Sequence, residues 1–351
     1  MLESELSTPA LLLDLNVMES NLRKMAAFFA EGPTRLRPHY KNHKCPALAR
    51  RQMDLGAIGM SCATLSEAEV LVRSGIPSIL LVNEIAGSVK IDRFAELSRD
   101  VDLIVAVDND RTVAALSAAS ARHGVRLSVV VDVDTGLKRC GVAPGMPALA
   151  LAQSAVAQGL RLRGVSGYEG HCGRMAPGAE KVSASHRAME LLVGAANLLR
   201  SHGLPVEIVS AGGTGTYAIT GRYPGVTEIQ AGSYLVMDTD YRTVCTDFDL
   251  ALSVLGTVVS RTGDERFVLD IGLKEISAER GLPVLKNLDG ACLRRLNAEH
   301  AVVEILDSNL PVQVGDKVEI WAHYSDATIN LHRRMYGIRD GKVEEVLAVE
   351  G

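Results

Sequence analysis

The stretch RLRPHYKNHKCPALARRQ, Arg35 to Gln52, gathers Arg37, His39, Lys41, His43 and Lys44 where a strand should end and a helix begin. If Arg37, His39 and Lys41 alternate along that strand they share one face, and near the mouth of a barrel that face is the lumen. Lys44 stands just before Pro46, which suits the first turn of a helix and directs it toward solvent or a surface pair. Lys41 is then the inward lysine. A lysine crowded by other cations loses its proton readily, which an imine-forming amine requires. The competing reading pairs Lys41 with Glu84, Asp132 or Asp134 in a buried network.

A second chemistry is written in glycines. SAGGTGTY offers the backbone N–H groups of Gly212, Gly213, Thr214, Gly215 and Thr216, and AGSY those of Gly232, Ser233 and Tyr234. If these turns follow the last two strands of a barrel they stand where such folds bind phosphate. A Schiff-base lysine opposite a phosphate cup points to pyridoxal phosphate as cofactor. GYEGHCG adds Tyr168 and, at the mouth, His171, a base or a contact for a substrate carboxylate.

The elements that must position these groups alternate regularly. RLRPH, AIGMSC, SILLVNE, LIVAVD, LSVVVDVD, RGVSGYE, VEIVSAGG and EIQAGS read as strands, separated by helical stretches such as LSEAEVLVRSG and DRTVAALSAASARHG. Eight strand–helix units predict a (β/α)8 TIM barrel over residues 16–241. Its strand ends would carry Lys41, Cys62, Asn83, Glu84, Asp108, Asp132, Asp134, Tyr168, Ser210 and Gln230. From 242 to 351 the segments are strand-like, predicting a second, mostly β domain, with the N-terminal strand of residues 1–15 expected to join it.

At 351 residues the chain suits two domains, and 47% hydrophobic with 23% charged residues is ordinary for a globular protein. The net charge of −5 and the lack of a basic run argue against nucleic acid and for a small-molecule substrate. No apolar stretch is long enough to cross a bilayer, and the acidic start MLESELSTPALLLDL lacks a signal peptide's basic region, so a cytoplasmic location and no membrane partner are expected. Six cysteines without a C-x-x-C pair read as small buried hydrophobes.

TPALLLDL, RPHYKNHKCPALARRQ, LSEAEVLVRSGI, RCGV, SAGGTGTY, EIQAGSYLVMDTDY and HYSDATINLHRRMYGIRDGKVE occur in an order that resembles the fold-type III pyridoxal-phosphate enzymes. Within them the chain resembles the D-threonine aldolase / D-serine dehydratase group, with its alanine racemase-like barrel. The resemblance implies an imine on Lys41, phosphate contacts from Gly213 to Thr216 and from Gly232 to Tyr234, a ring contact at Tyr168, and Arg139 of the R-C-G-V motif near the cofactor. It also implies a divalent metal held by a histidine and, two residues on, an aspartate in aldolases or a cysteine in dehydratases. Here the segment reads His323-Tyr324-Ser325-Asp326, one residue longer. Either His323 and Asp326 still converge on the metal, or Ser325 takes the old position and weakens it. Histidine plus carboxylate suits Mn2+ or Mg2+ better than Zn2+.

The activity so implied is a lyase on D-β-hydroxy amino acids, acting as an aldolase that releases glycine and an aldehyde. The alternative is a D-serine or D-threo-3-hydroxyaspartate dehydratase. A racemase would need a second base, and a non-catalytic pyridoxal-phosphate carrier would not need the β domain. The resemblance further implies a homodimer whose subunits share the active site.

Overall fold

The computed structural model describes residues 1–351. The chain divides into two compact units. One comprises Ala26–Lys41 and Leu48–Gly232; the other comprises Met1–Met25, Asn42–Ala47 and Ser233–Glu350.

The first unit is built on parallel strands Arg35–Leu36, Met60–Cys62, Ser78–Leu81, Asp102–Val107, Ser128–Asp132, Arg161–Ser166, Ile208–Ala211 and Glu228–Ile229. Neighbours in sequence are neighbours in the sheet, and Arg35–Leu36 pairs with the last strand, Glu228–Ile229. The circle closes through a parallel bridge between His39 and Ser61. All eight strands expected from the sequence are present, and central ones such as Asp102–Val107 and Ser128–Asp132 carry the near-continuous apolar run of a strand covered on both faces. The first strand is short since Pro38 has no N–H to donate, and its carbonyl instead accepts from the Ser61 amide at 2.8 Å.

Inside, Leu80, Ile104, Ala106, Val130 and Ile208 form one buried cluster. Gly164 stands level with Val130 and Ile208, and a Cβ there would lie 1.9 Å from the Ile208 carbonyl oxygen, so this strand approaches its neighbour too closely for any side chain. Helix starts are fixed locally. The Thr64 side chain accepts from the Glu67 amide, and Asn109 Oδ1 accepts from the Thr112 amide at 2.8 Å. Gly124 ends helix Asp110–His123 at φ +64°.

The second unit is a nine-stranded, mostly antiparallel sheet. Strand Ala10–Asp14 lies in its interior, antiparallel to Leu252–Ser260 and parallel to Arg334–Arg339. The cluster of Leu6, Ala10, Leu12, Leu255 and Ile338 packs around this strand. Asp14 Oδ1 accepts from the Val17 amide and so turns the strand directly into helix Leu15–Ala30.

All six cysteines are free; four are buried, but Cys140 is exposed and Cys292 half-buried. These two depart from the expectation of buried hydrophobes: Cys140 stands on a turn whose Gly141 amide is held by Asp108, and Cys292 lies in the half-exposed strand Ala291–Leu296. No helix is long and apolar enough to cross a membrane.

Candidate active site

In the barrel unit the expected strand alternation ends early. Arg37 and His39 are buried, whereas Lys41 lies on the following turn and is exposed. Arg37 Nε meets Glu228 at 2.9 Å and Nη1 donates to Ser78 Oγ at 3.0 Å, so its charge is already matched. His39 Nδ1 accepts from the Lys41 amide at 3.3 Å, which fixes the turn that carries the lysine. Lys41 makes no ion pair, and the network with Glu84, Asp132 or Asp134 is not formed.

Those carboxylates have other partners. Asp134 Oδ1 accepts from the amides of Gly136 and Lys138, which hold it below the usual carboxylate range. Burial and the neighbouring Glu84 push Asp132 up to about 8. Glu84, Asp108 and Cys140 bring their ligand atoms within 4.8 Å of one another. Burial, with Glu67 nearby, pushes the Cys62 thiol well above its ordinary value.

Three loops meet around Tyr168. The Arg139 guanidinium lies 5.9 Å from the ring centroid. A Cβ on Gly213 would come within 3.2 Å of the ring, and one on Gly170 within 2.5 Å. His171 is exposed on the four-residue helix Gly170–Gly173 and packs its ring over Gly136. In the glycine turn the Gly213 amide donates to Thr216 Oγ1 at 3.3 Å and the Thr216 amide to the Gly213 carbonyl at 3.1 Å. Ser210 accepts from Gln230 at 2.8 Å. Gly232 ends this unit.

In the β unit, Ser233 and Tyr234 begin a 3-10 turn, and the fully buried Tyr234 ring packs on Phe248. Ser233 Oγ accepts from Asn42 Nδ2 at 3.4 Å. Strand Lys317–Trp321 runs into the corner that carries His323, and helix Ser325–Ile329 follows. His323 Nδ1 is 2.6 Å from Thr239 Oγ1. Its Nε2 faces Gly281, where a Cβ would approach to 2.9 Å.

Ser325 is fully buried. Its amide and hydroxyl both donate to Asp238 Oδ2, at 2.9 and 2.8 Å, and its hydroxyl accepts from Asn42 Nδ2 at 2.9 Å. Burial raises the Asp238 carboxyl against the pull of these donors. Asn42 Nδ2 also reaches Asp326 Oδ2 at 3.2 Å. The rest of the motif anchors the loop holding Gly281. Thr328 Oγ1 accepts from the Ser277 amide, and His332 Nε2 donates to the Glu275 carbonyl at 2.7 Å. Burial holds His332 below its ordinary pKa.

Lys44 sits at φ +46°, before the helix rather than in it, with Nζ donating to Asn330 Oδ1 at 2.7 Å. Asn42, Asp238, Thr239 and Gly281 were not singled out in the sequence. Asn42 and the Asp238-Thr239 pair nevertheless fall inside the quoted motifs, which is the one signal that marks them.

Known proteins resemble the chain along nearly its whole length. Residues 13–240 match the family model "Alanine racemase, N-terminal domain", and residues 251–338 match that of a serine dehydratase domain. The chain is 36% identical to D-threonine aldolase of an Arthrobacter species, over 98% of this chain and 92% of that protein. It is 35% identical to 3-hydroxy-D-aspartate aldolase of Paracoccus denitrificans, over 99% and 92%. The crystal structure of D-threonine aldolase from Filomicrobium marinum superposes with a TM-score of 0.94 at 38% identity, covering 99% of this chain and 95% of that one. D-threo-3-hydroxyaspartate dehydratase from Delftia gives 0.91 at 28% identity, over 99% and 98%. The chain belongs to the alanine racemase N-terminal-domain family, in the pyridoxal-phosphate-dependent group of lyases that joins this barrel to a serine dehydratase domain.

Proposed function

We propose that the protein cleaves D-configured β-hydroxy amino acids by a retro-aldol reaction, releasing glycine and an aldehyde. What carries this reading is the 36% identity to D-threonine aldolase across nearly the whole of both chains. The dehydratase course is the second reading, favoured by the 30% identity to D-threo-3-hydroxyaspartate dehydratase over 92% of the chain. The carboxylate at Asp326, in place of a thiol, supports the aldolase.

The residues present fit pyridoxal phosphate. Lys41 is exposed and unpaired, and Gly213 packs its backbone on the Tyr168 ring, where a Cβ would come within 3.2 Å. When bound, the cofactor supplies a sink for the electron pair released at Cα. Lys41 holds it through its amine, Arg139 and Tyr168 orient the ring, and the backbone of Gly213–Thr216 and Gly232–Tyr234 holds the phosphate. His171, exposed beside Tyr168, takes the proton of the substrate's β-hydroxyl.

The β unit fits a divalent cation. Thr239 holds one nitrogen of His323, and Gly281, which has no side chain, faces the other; Asn42 holds one oxygen of Asp326 and leaves its second. His323 and Asp326 are the proposed ligands, with Mn2+ or Mg2+ as the ion. When bound, the ion supplies positive charge that eases loss of the hydroxyl proton. The working form is proposed as a homodimer in the cytoplasm, and light scattering at micromolar concentration should report twice the chain mass.

The deciding experiment incubates the protein with D-threonine, D-threo-3-hydroxyaspartate, D-serine and D-alanine, with and without EDTA. Glycine plus aldehyde from a β-hydroxy substrate, stopped by EDTA and restored by Mn2+, is expected. Keto acid and ammonia would move the assignment to the dehydratase. Racemised D-alanine with EDTA present would overturn it.

A further inference from the structure

Glu169 is fully buried, and its carboxylate lies in the glycine-rich turn that follows strand Ile208–Ala211. Oε1 accepts from Thr216 Oγ1 at 2.6 Å and from Thr220 Oγ1 at 2.7 Å, while Oε2 accepts from the Gly212 amide at 3.1 Å. All three donors are neutral, and all come from residues 212–220. A buried carboxylate is costly unless its oxygens are satisfied, so this one locks the donors around itself.

The consequence for the turn is specific. The Gly212 amide and the Thr216 hydroxyl point at Glu169, and the Gly213 amide donates to the hydroxyl oxygen that Glu169 orients. Gly215 packs so tightly on the Gly173 carbonyl that a Cβ would come to 2.1 Å, so the turn is clamped against the segment that carries Glu169 from both sides. Tyr168, the residue before Glu169, lies against Gly213. One short segment thus sets both the aromatic ring and the backbone of the turn.

We propose that Glu169 is a positioning residue that pre-forms the 212–216 turn, so that the turn meets a phosphate monoester without reorganising. The inference rests on the reading of this turn as the cofactor-phosphate loop. Pre-forming a loop raises affinity by removing the ordering cost from the binding step. Removing the carboxylate leaves the Gly212 amide and both threonine hydroxyls without their acceptor, whereas an isosteric amide can still accept from the Gly212 amide and donate to the hydroxyl oxygens, which makes Glu169→Gln the conservative control.

The test uses the full-length protein stripped of cofactor with hydroxylamine, titrated with pyridoxal phosphate and, in parallel, with pyridoxal, which lacks the phosphate. Glu169→Leu should weaken pyridoxal phosphate about tenfold or more and leave pyridoxal within about twofold, and Glu169→Gln should recover most of that loss. Thr220→Val, which removes one donor outside the turn, should shift affinity the same way by about threefold, and it serves as the reading if Glu169→Leu does not fold. Equal weakening of both ligands, or no weakening of either, overturns the proposal. A wild-type protein that holds pyridoxal as tightly as pyridoxal phosphate overturns the phosphate-loop reading itself, and the role of Glu169 with it.

Discussion

Ser325 illustrates how a residue next to a candidate ligand takes a different task. Its buried hydroxyl donates to Asp238 and accepts from Asn42, so Ser325→Ala removes one donor to the buried Asp238 carboxyl and one acceptor of Asn42. A loss of about 1–3 kcal/mol in unfolding free energy is expected, read by urea titration. Turnover per folded molecule should remain near normal. Asp326 is only half-buried, so Asp326→Ala should be stable yet lose Mn2+ affinity at least tenfold in an electron paramagnetic resonance titration. If Asp326→Ala binds Mn2+ normally and Ser325→Ala does not, the ligand is Ser325, and the extra residue has moved the site.

At the scale of elements, the carboxyl ends of the central strands place Asp132 beside Glu84. Burial and that neighbour raise Asp132 from its ordinary 3.8 to about 8, so the folded protein binds its proton more tightly than the unfolded chain does. The stabilisation from that proton is complete below about pH 4 and is lost as pH rises through about 8. Asp132→Asn cannot lose a proton. The stability of this variant relative to wild type should therefore grow between about pH 4 and 8 and level off above, measured by thermal unfolding in matched buffers. A difference that does not vary with pH would show that Asp132 is not raised in the folded protein.

For the whole molecule, the N-terminal strand matters more than its five residues suggest. Leu11, Leu12 and Leu13 are at most 2% exposed, and the strand fills the sheet between Leu252–Ser260 and Arg334–Arg339. Burying three leucines is worth about 5–9 kcal/mol, comparable to the net stability of a typical domain. Deleting residues 1–14 should give an insoluble product or one without a cooperative melt. A soluble product with the wild-type melt would mean that the sheet closes without this strand.

The sequence determined the barrel, because its strands are local apolar runs and its helices carry their own caps at Thr64, Asn109 and Gly124. It also marked Lys41 and the glycine turn, whose residue types are unusual enough to stand out unaided. It did not show that Arg37 is matched by Glu228, 191 residues away, or that Asn42 reaches Ser325 across 283 residues. Nor did it show Glu169 beneath the turn. The physical reason is one of range: hydrophobic periodicity and capping act over a few residues and leave a local signature, whereas a buried hydrogen bond needs only two complementary groups. Which two meet is decided when the tertiary structure excludes water from both.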